Sequence, residues 1–136
     1  MINVDAKLTP NFKLSEFLHE GSKDGLAVDI LANLIKTAGM LENIRKRCGD
    51  KPIIITSGFR TLEHNREVGG AMPDPNKPFE PGNGSYHLYG MAADFVVDGL
   101  TPHQVQEILA DWNGGLELAP TWTHADWGPK RRFYIS

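Results

Sequence analysis

Three residues of types that bind metal ions lie in the second half of the chain. His87 follows a glycine-rich stretch, Asp94 lies seven residues further on among apolar residues, and His124 lies near the C-terminus. An acidic residue in apolar surroundings is costly to bury unless it is paired or bound to a metal ion. Three protein ligands with an open fourth position are typical of a catalytic zinc site. These residues are therefore a candidate metal site, and a histidine–aspartate hydrogen bond is the alternative explanation for any two of them.

Two short segments, 91–97 and 121–127, are predicted to be strands that position these side chains. Because successive side chains of a strand point to opposite faces, Asp94 points to one side of the first strand, where a partner must exist. By the same alternation, His124 and Asp126 share one face of the second strand.

The other elements are predicted from apolar periodicity and from helix-end signals. Apolar residues recur with helical spacing from Leu26 to Cys48, which predicts the main core helix. Thr101, Pro102 and Gln104 predict the start of a second helix, with a capping box and a proline at its first position. Further elements are predicted at residues 53–56 (a buried strand), 14–18 and 61–68 (short helices). This order predicts a single α+β domain over residues 1–136, with a small α/β sheet as the alternative.

Residues 71–84 are predicted to form a long loop. The segment contains four prolines and two glycines, so neither a helix nor a strand is expected there. A loop of this length in a small domain is either a functional lid or an insertion.

The composition excludes several classes of protein. With 136 residues, of which 40% are hydrophobic, the chain fits one globular domain. A formal net charge of −3 gives no electrostatic support for nucleic-acid binding, and the basic run 130–132 is predicted to be a solvated face. The single cysteine, Cys48, excludes an internal disulfide framework. No apolar run suits a signal peptide or a membrane span, so we expect a protein made in the cytoplasm without a signal peptide and without membrane partners.

Three motifs of the chain resemble those of a known enzyme family. Residues 57–60 read Ser-Gly-Phe-Arg, residues 85–94 read Ser-x-His-x-x-Gly-x-Ala-x-Asp, and residues 122–124 read Trp-x-His. In this order they resemble the zinc D-alanyl-D-alanine peptidases, which include VanY-type carboxypeptidases and phage endolysins that cleave peptidoglycan stem peptides. The resemblance covers nearly the whole chain. It implies the Hedgehog/DD-peptidase fold, an α+β domain with a central antiparallel sheet packed by helices.

The resemblance also implies a role for each matching residue. The zinc ligands that it implies are His87, Asp94 and His124. The substrate-positioning arginine falls on Arg60, whose guanidinium can hold a carboxylate or a carbonyl group through two hydrogen bonds. Ser85 is expected to form hydrogen bonds near the site, and Tyr86 is a candidate donor to a developing oxyanion, with packing as its alternative role.

The chain departs from the family pattern at one catalytic position. Many relatives carry an acidic general base three residues before the last zinc histidine, where this chain has Thr121. Asp126, on the same face as His124, is the first substitute, either as the base or as a residue that orients the imidazole. Glu117 in the preceding segment is the second substitute.

The function that we expect is zinc-dependent hydrolysis of peptidoglycan stem peptides by a monomeric enzyme. The cleaved bond would be of the D-Ala-D-Ala or the L-alanyl-D-glutamate type, and the enzyme would reach the cell wall after release, as a phage or prophage lysis protein does. The alternative, which the threonine at position 121 motivates, is a zinc-bound module without catalysis, such as a phage structural or peptide-binding protein.

Overall fold

A five-stranded sheet, with helices on one face and the candidate site on the other, forms the centre of the molecule. The computed structural model describes residues 3–22 and 26–134. Along the chain the strands and helices are β1 (Lys7–Thr9), β2 (Phe12–Lys13), α1 (Val28–Arg47), β3 (Ile53–Ser57), α2 (Leu62–Glu67), β4 (Ala92–Val97), α3 (Pro102–Ile108), β5 (Gly115–Leu118), β6 (Thr123–Asp126) and β7 (Arg131–Tyr134). Short 3₁₀ turns occupy Leu14–Phe17, Glu20–Ser22 and Tyr86–Tyr89.

The sheet has the strand order β3-β4-β6-β5-β7, and β1 and β2 form a separate pair. Neighbouring strands of the large sheet are antiparallel except β5 and β7, which are parallel. The predicted α+β class is confirmed, but the sheet is mixed rather than purely antiparallel. After β6 the chain reverses and passes to the far side of β5, so β7 runs opposite to β6 and therefore parallel to β5. The basic run 130–132 thus enters a strand instead of forming only a solvated face.

The apolar core lies between the sheet and helices α1 and α3. Alternation along β4 directs Ala93 and Phe95 into this core and leaves Asp94 on the opposite face. The predicted helical periodicity is confirmed by α1, and the capping box of Thr101 and Gln104 is present at the start of α3. Segment 71–84 forms neither a helix nor a strand. No helix within the described ranges is both long and apolar enough to cross a membrane.

Helix α1 holds together the two segments that carry the candidate histidine ligands. The hydroxyl of Thr37, which is fully buried, donates to the carbonyl oxygen of Gly90 at 2.6 Å, just after the turn of His87. The same hydroxyl accepts from the indole Nε1 of Trp127 at 2.9 Å, just after β6. One buried side chain on α1 therefore fixes the spacing between the His87 turn and the end of β6.

Replacement of the Thr37 hydroxyl tests this link. Thr37→Val keeps the shape of the side chain but leaves a buried carbonyl and an indole N–H without a partner, at a cost of about 1–3 kcal/mol each. We expect urea denaturation to give a lower free energy of unfolding for Thr37→Val than for Thr37→Ser, which retains the hydroxyl. Equal stability of the two variants would contradict the assigned link.

Candidate active site

One row of side chains crosses four strands on the sheet face opposite the core. The register pairs Ser57 of β3 with Asp94 of β4, Asp94 with His124 of β6, and His124 with Glu117 of β5. Directly paired residues on neighbouring strands present their side chains on the same face. Strand pairing therefore brings together polar residues that are far apart in the sequence.

A neighbouring row carries an ion pair between the buried carboxylate of Asp126 and the partly exposed guanidinium of Arg131. Asp126 of β6 pairs in register with Gly115 of β5, and Gly115 pairs with Arg131 of β7. Since Gly115 has no side chain, the guanidinium of Arg131 reaches across β5, with its Nη2 2.6 Å from Oδ2 of Asp126. A Cβ atom at residue 115 would overlap the Asp126 carboxylate and lie 2.6 Å from Arg131 Nη2. The glycine is therefore a requirement of this ion pair.

His87 reaches the site on the 3₁₀ turn Tyr86–Tyr89. The Ser85 hydroxyl caps the turn by accepting from the backbone N–H of His87, and Gly90 ends it with a φ of 74°, which favours glycine. Nδ1 of the His87 ring lies 2.7 Å from the carbonyl oxygen of Gly58. Because a carbonyl oxygen only accepts, Nδ1 carries the proton and Nε2 is directed to the site.

The contact between His87 and Asp94 favours a cation between the two side chains. Burial lowers the pKa of His87, so that its ring is neutral and Nε2 presents a lone pair. Burial alone would raise the pKa of Asp94, but its hydrogen bond with His124 holds the pKa well below the usual range. The lone pair of His87 therefore faces an ionised oxygen, Asp94 Oδ1, at 3.2 Å. A cation between these two atoms would turn their repulsion into two favourable contacts.

His124 lies between two carboxylates. Its Nδ1 is 2.9 Å from Oδ1 of Asp94, and its Nε2 is 2.7 Å from Oδ2 of Asp126. Burial alone would lower the pKa of His124, but the hydrogen bonds with Asp126 and Asp94 raise this pKa to about 9. The two carboxylates thus require a positive charge between them. A metal ion at Nδ1 would supply that charge while Nε2–H remains bound to Asp126.

The three predicted ligands fit a zinc ion. One ligand atom from each of His87, Asp94 and His124 lies within 4.8 Å of the others, and all three residues are buried. Ligand atoms around a tetrahedral zinc ion lie about 3.3 Å apart, given bonds of about 2.0–2.1 Å. Asp126 completes the arrangement, because a zinc-binding histidine commonly donates its second ring N–H to a carboxylate.

Glu117 and Asp126 contact the same ring nitrogen of His124 but differ in their access to the cleft. Oε2 of Glu117 lies 3.1 Å from Nε2 of His124, and 14% of its side chain is exposed, whereas the Asp126 side chain is 0% exposed. Burial raises the pKa of Glu117, and the charge of His124 opposes that shift. Thr121, at the usual position of the base, lies in the loop between β5 and β6, and its side chain cannot titrate as a base at neutral pH.

Arg60 lies at the β3 end of the polar row. Its Nη2 is 3.2 Å from Oδ2 of Asp94, and its Nε donates to the hydroxyl of Ser57 at 3.0 Å. The guanidinium therefore binds the Asp94 oxygen that does not face the histidines, which leaves Oδ1 for a metal ion.

Comparison with known proteins decides the family. The model of a family described as peptidase M15 matches residues 10–126. The chain belongs to the M15 peptidase family. The predicted relationship to the zinc D-alanyl-D-alanine peptidases is thereby confirmed.

The names of two relatives of this M15 domain state different target bonds. A stretch of 63 residues is 40% identical to the zinc D-Ala-D-Ala carboxypeptidase of Streptomyces albus G, covering 46% of this chain and 20% of that protein. A stretch of 114 residues is 27% identical to the peptidoglycan L,D-endopeptidase MepK of Escherichia coli strain K12, covering 77% of this chain and 59% of that protein. The M15 domain thus spans less than two thirds of the length of either relative.

Asp94, His124 and Glu117 of the polar row line an open cleft of about 670 Å³ in the M15 domain, together with His87. Ser85 and Tyr86, both predicted near the substrate, line this cleft together with Arg60 and Trp122. Arg131 closes another side, where its guanidinium carbon lies 4.8 Å from the centre of the Tyr86 ring. The cleft therefore presents an arginine from β7 in addition to the arginine expected from the motif.

Arg131 and Gly115 are site residues that were not predicted from the sequence. The structure brings together every predicted ligand, both candidate bases, Arg60, Ser85 and Tyr86. Arg131 lies in the basic run 130–132, which was predicted to be a solvated face. Gly115 belongs to a pair of glycines, a pattern that is typical of a helix end. One signal was available in the sequence: strand alternation places Asp126 beside His124, and a carboxylate that is buried there needs a basic partner.

Substitution of Gly115 tests the second row. In Gly115→Ala the added methyl group displaces Asp126 or Arg131, and overpacking of this kind costs about 1–3 kcal/mol. Gly39→Ala is the matched control, because a Cβ atom there meets nothing within 4 Å in helix α1, and it should stabilise the protein by about 0.5–1 kcal/mol. Thermal denaturation should thus shift the two melting temperatures in opposite directions, and a stable Gly115→Ala variant would refute the contact.

Proposed function

We propose that this M15 domain is a zinc-dependent peptidase that hydrolyses peptide bonds in peptidoglycan stem peptides. The observation that carries the proposal is the set of ligand atoms of His87, Asp94 and His124, which lie within 4.8 Å of one another and line an open cleft. The names of the two relatives, a D-Ala-D-Ala carboxypeptidase and a peptidoglycan endopeptidase, support the substrate class.

Zinc is the proposed cofactor, held by His87, Asp94 and His124. In a three-ligand site, zinc lowers the pKa of water and polarises a carbonyl group. Asp126 accepts the Nε2–H of His124, keeps the ring in the tautomer that leaves Nδ1 free, and fixes its orientation. Arg131 keeps Asp126 ionised, and the backbone N–H groups of Gly115 and Gly128 add two further hydrogen bonds to the carboxylate.

Glu117 is the proposed general base. Its carboxylate on β5 contacts His124 and also lines the cleft, so it can reach a water molecule that binds beside the candidate ligands. It would take a proton from the attacking water and deliver that proton to the leaving amine. Asp126 does not suit this role, since its side chain is fully buried and already receives hydrogen bonds on both oxygens.

Arg60, Ser85 and Tyr86 are proposed to bind the substrate. The guanidinium of Arg60 has hydrogen-bond donors beyond those given to Ser57 and Asp94, and these suit a peptide carbonyl or carboxylate in the cleft. Ser85 and Tyr86 lie on the adjacent wall, where Ser85 caps the turn of His87 and Tyr86 is its first residue. That the protein acts on the cell wall, as a phage or prophage lysis enzyme does, remains a prediction from the sequence.

Hydrolysis of purified peptidoglycan tests the activity. Gram-negative and Gram-positive sacculi are incubated with the protein, with and without a chelator, and the released peptides are identified by mass spectrometry. We expect defined peptides whose release the chelator abolishes and added zinc restores. Their ends would distinguish a carboxypeptidase from an endopeptidase. Absence of products, with one zinc ion per chain still bound, would favour a module without catalysis.

Substitution of Glu117 tests the base. Glu117→Gln removes the proton acceptor and should lower kcat by about 100- to 10,000-fold, with little change in zinc affinity. Glu107→Gln on α3, outside the cleft, is the matched control and should retain full activity. Activity of Glu117→Gln close to that of the unaltered protein would exclude this residue as the base.

Substitution of Asp126 should give the complementary result. Asp126→Asn loses the charged acceptor of the His124 N–H, and loss of such an outer partner typically lowers metal affinity by about 10- to 100-fold. Zinc affinity is measured by competition with a chromophoric chelator. Asp126→Asn should lower it and Glu117→Gln should not; the reverse pattern would exchange the two proposed roles.

A further inference from the structure

Asn65 is a polar residue that is completely buried beside the cleft, and the roles proposed above do not use it. It lies on helix α2, and its side chain is 0% exposed. Its Oδ1 accepts from Nη1 of Arg60 at 3.2 Å, and its Nδ2 donates to the carbonyl oxygen of Ala71 at 3.0 Å. A buried amide is stable only when both of its ends have partners, and here the two partners belong to different walls of the cleft.

The first partner, Arg60, is held on three sides. Its Nε donates to Ser57, its Nη2 pairs with the charged Asp94, and its Nη1 binds the neutral oxygen of Asn65. The amide is thus the restraint on the side of the guanidinium away from Asp94. Without it, the guanidinium keeps only its contacts with Ser57 and Asp94, so its orientation is less restrained on the Nη1 side.

The second partner, Ala71, is the first residue of the segment 71–84. Its carbonyl oxygen also accepts from the backbone N–H of Ser85 at 2.8 Å, so the two ends of the segment meet at this oxygen. Ala71, Gly82 and Gly84 line the cleft, and Ser85 stands two residues before His87. The Asn65 amide therefore reaches the base of the segment that forms this wall.

Gly70 supplies independent support for a precise fit. A Cβ atom at residue 70 would overlap Oδ1 of Asn65 and lie 2.9 Å from Nη1 of Arg60. The backbone N–H of Gly70 also donates to the carbonyl oxygen of Asn65 at 2.8 Å. The chain therefore approaches the Asn65–Arg60 contact so closely that no side chain fits between them.

We propose that Asn65 is a positioning residue that couples the orientation of Arg60 to the base of the cleft wall formed by residues 71–84. The inference rests on the proposed function, in which Arg60 holds the substrate. Asn65 itself contacts no substrate in this scheme; it acts through Arg60 on one side and through Ala71 on the other.

A double-mutant cycle tests the connection to Arg60. Asn65→Ala should lower kcat/KM for peptidoglycan peptides by up to about 100-fold, the loss typical of a misplaced binding group. In the Arg60→Ala background the same substitution should have little further effect, because the group that it positions is already absent. Equal effects in both backgrounds would overturn the proposal.

Hydrogen exchange tests the connection to the wall without any need for activity. Asn65→Ala and Asn65→Asp both lose the donor to Ala71 and should accelerate exchange of the Ser85 amide. Asn65→Asp retains an acceptor for Arg60, so it should recover part of the activity lost in Asn65→Ala. Unchanged Ser85 exchange in both variants would overturn the coupling.

Three further variants serve as controls, and one NMR signal reports on Arg60 without any need for activity. Arg66→Ala, at an exposed position of the same helix, should change neither kcat/KM nor exchange. Gly70→Ala should reproduce the defects of Asn65→Ala, and it replaces that variant if Asn65→Ala does not fold. Gly39→Ala is the control for Gly70→Ala, because a Cβ atom at residue 39 meets nothing within 4 Å. If the unaltered protein cleaves no peptide, the proposed function fails, while Ser85 exchange and the NMR signal of the Arg60 Nε–H still decide whether Asn65 couples the two walls.

Discussion

The structure depends on how the negative charge of one buried carboxylate, that of Asp94, is compensated. Asp94 lies on a central strand among apolar neighbours, where its charge is tolerated because His124 and Arg60 supply positive charge beside it, while the neutral ring of His87 approaches Oδ1. Each of these partners arrives on a different element, and each element is fixed by contacts of its own. Removing His124 or Arg60 would leave a buried charge without sufficient compensation, so the requirement of Asp94 constrains the register of the sheet and the position of Arg60.

A second buried carboxylate repeats this principle one row away. Asp126 is satisfied by His124 and by Arg131, and the contact with Arg131 exists only because Gly115 leaves space across β5. The two carboxylates share His124, one at each ring nitrogen. A metal ion can therefore replace the proton on one side of the ring while the other side keeps its hydrogen bond, which is the arrangement that a zinc-binding histidine needs.

Under the proposed function, a residue of the neighbouring strand compensates for the threonine at position 121. Glu117 is seven positions before His124, yet antiparallel pairing of β5 and β6 places the two residues directly opposite each other. The carboxylate of Glu117 on β5 thus contacts the His124 ring, although the acid in the family pattern lies three positions before that histidine on the same chain segment. The proposed role of Asn65 is a second example. Asn65 on helix α2 contacts both Arg60 and Ala71, the first residue of the proline-rich segment 71–84.

The sequence by itself determined the features that depend on local order. The helical period of α1, the capping box at Thr101 and the alternation around Asp94 are properties of neighbouring residues, so they could be predicted. The set of His87, Asp94 and His124 could be proposed because motif order resembles that of a family. Only the tertiary structure decided that Glu117 faces His124, that Arg131 reaches Asp126 over Gly115, and that Asn65 joins Arg60 to Ala71. These contacts follow from strand register and from the crossing of β7 beyond β5, which depend on the packing of the whole domain and not on any local pattern.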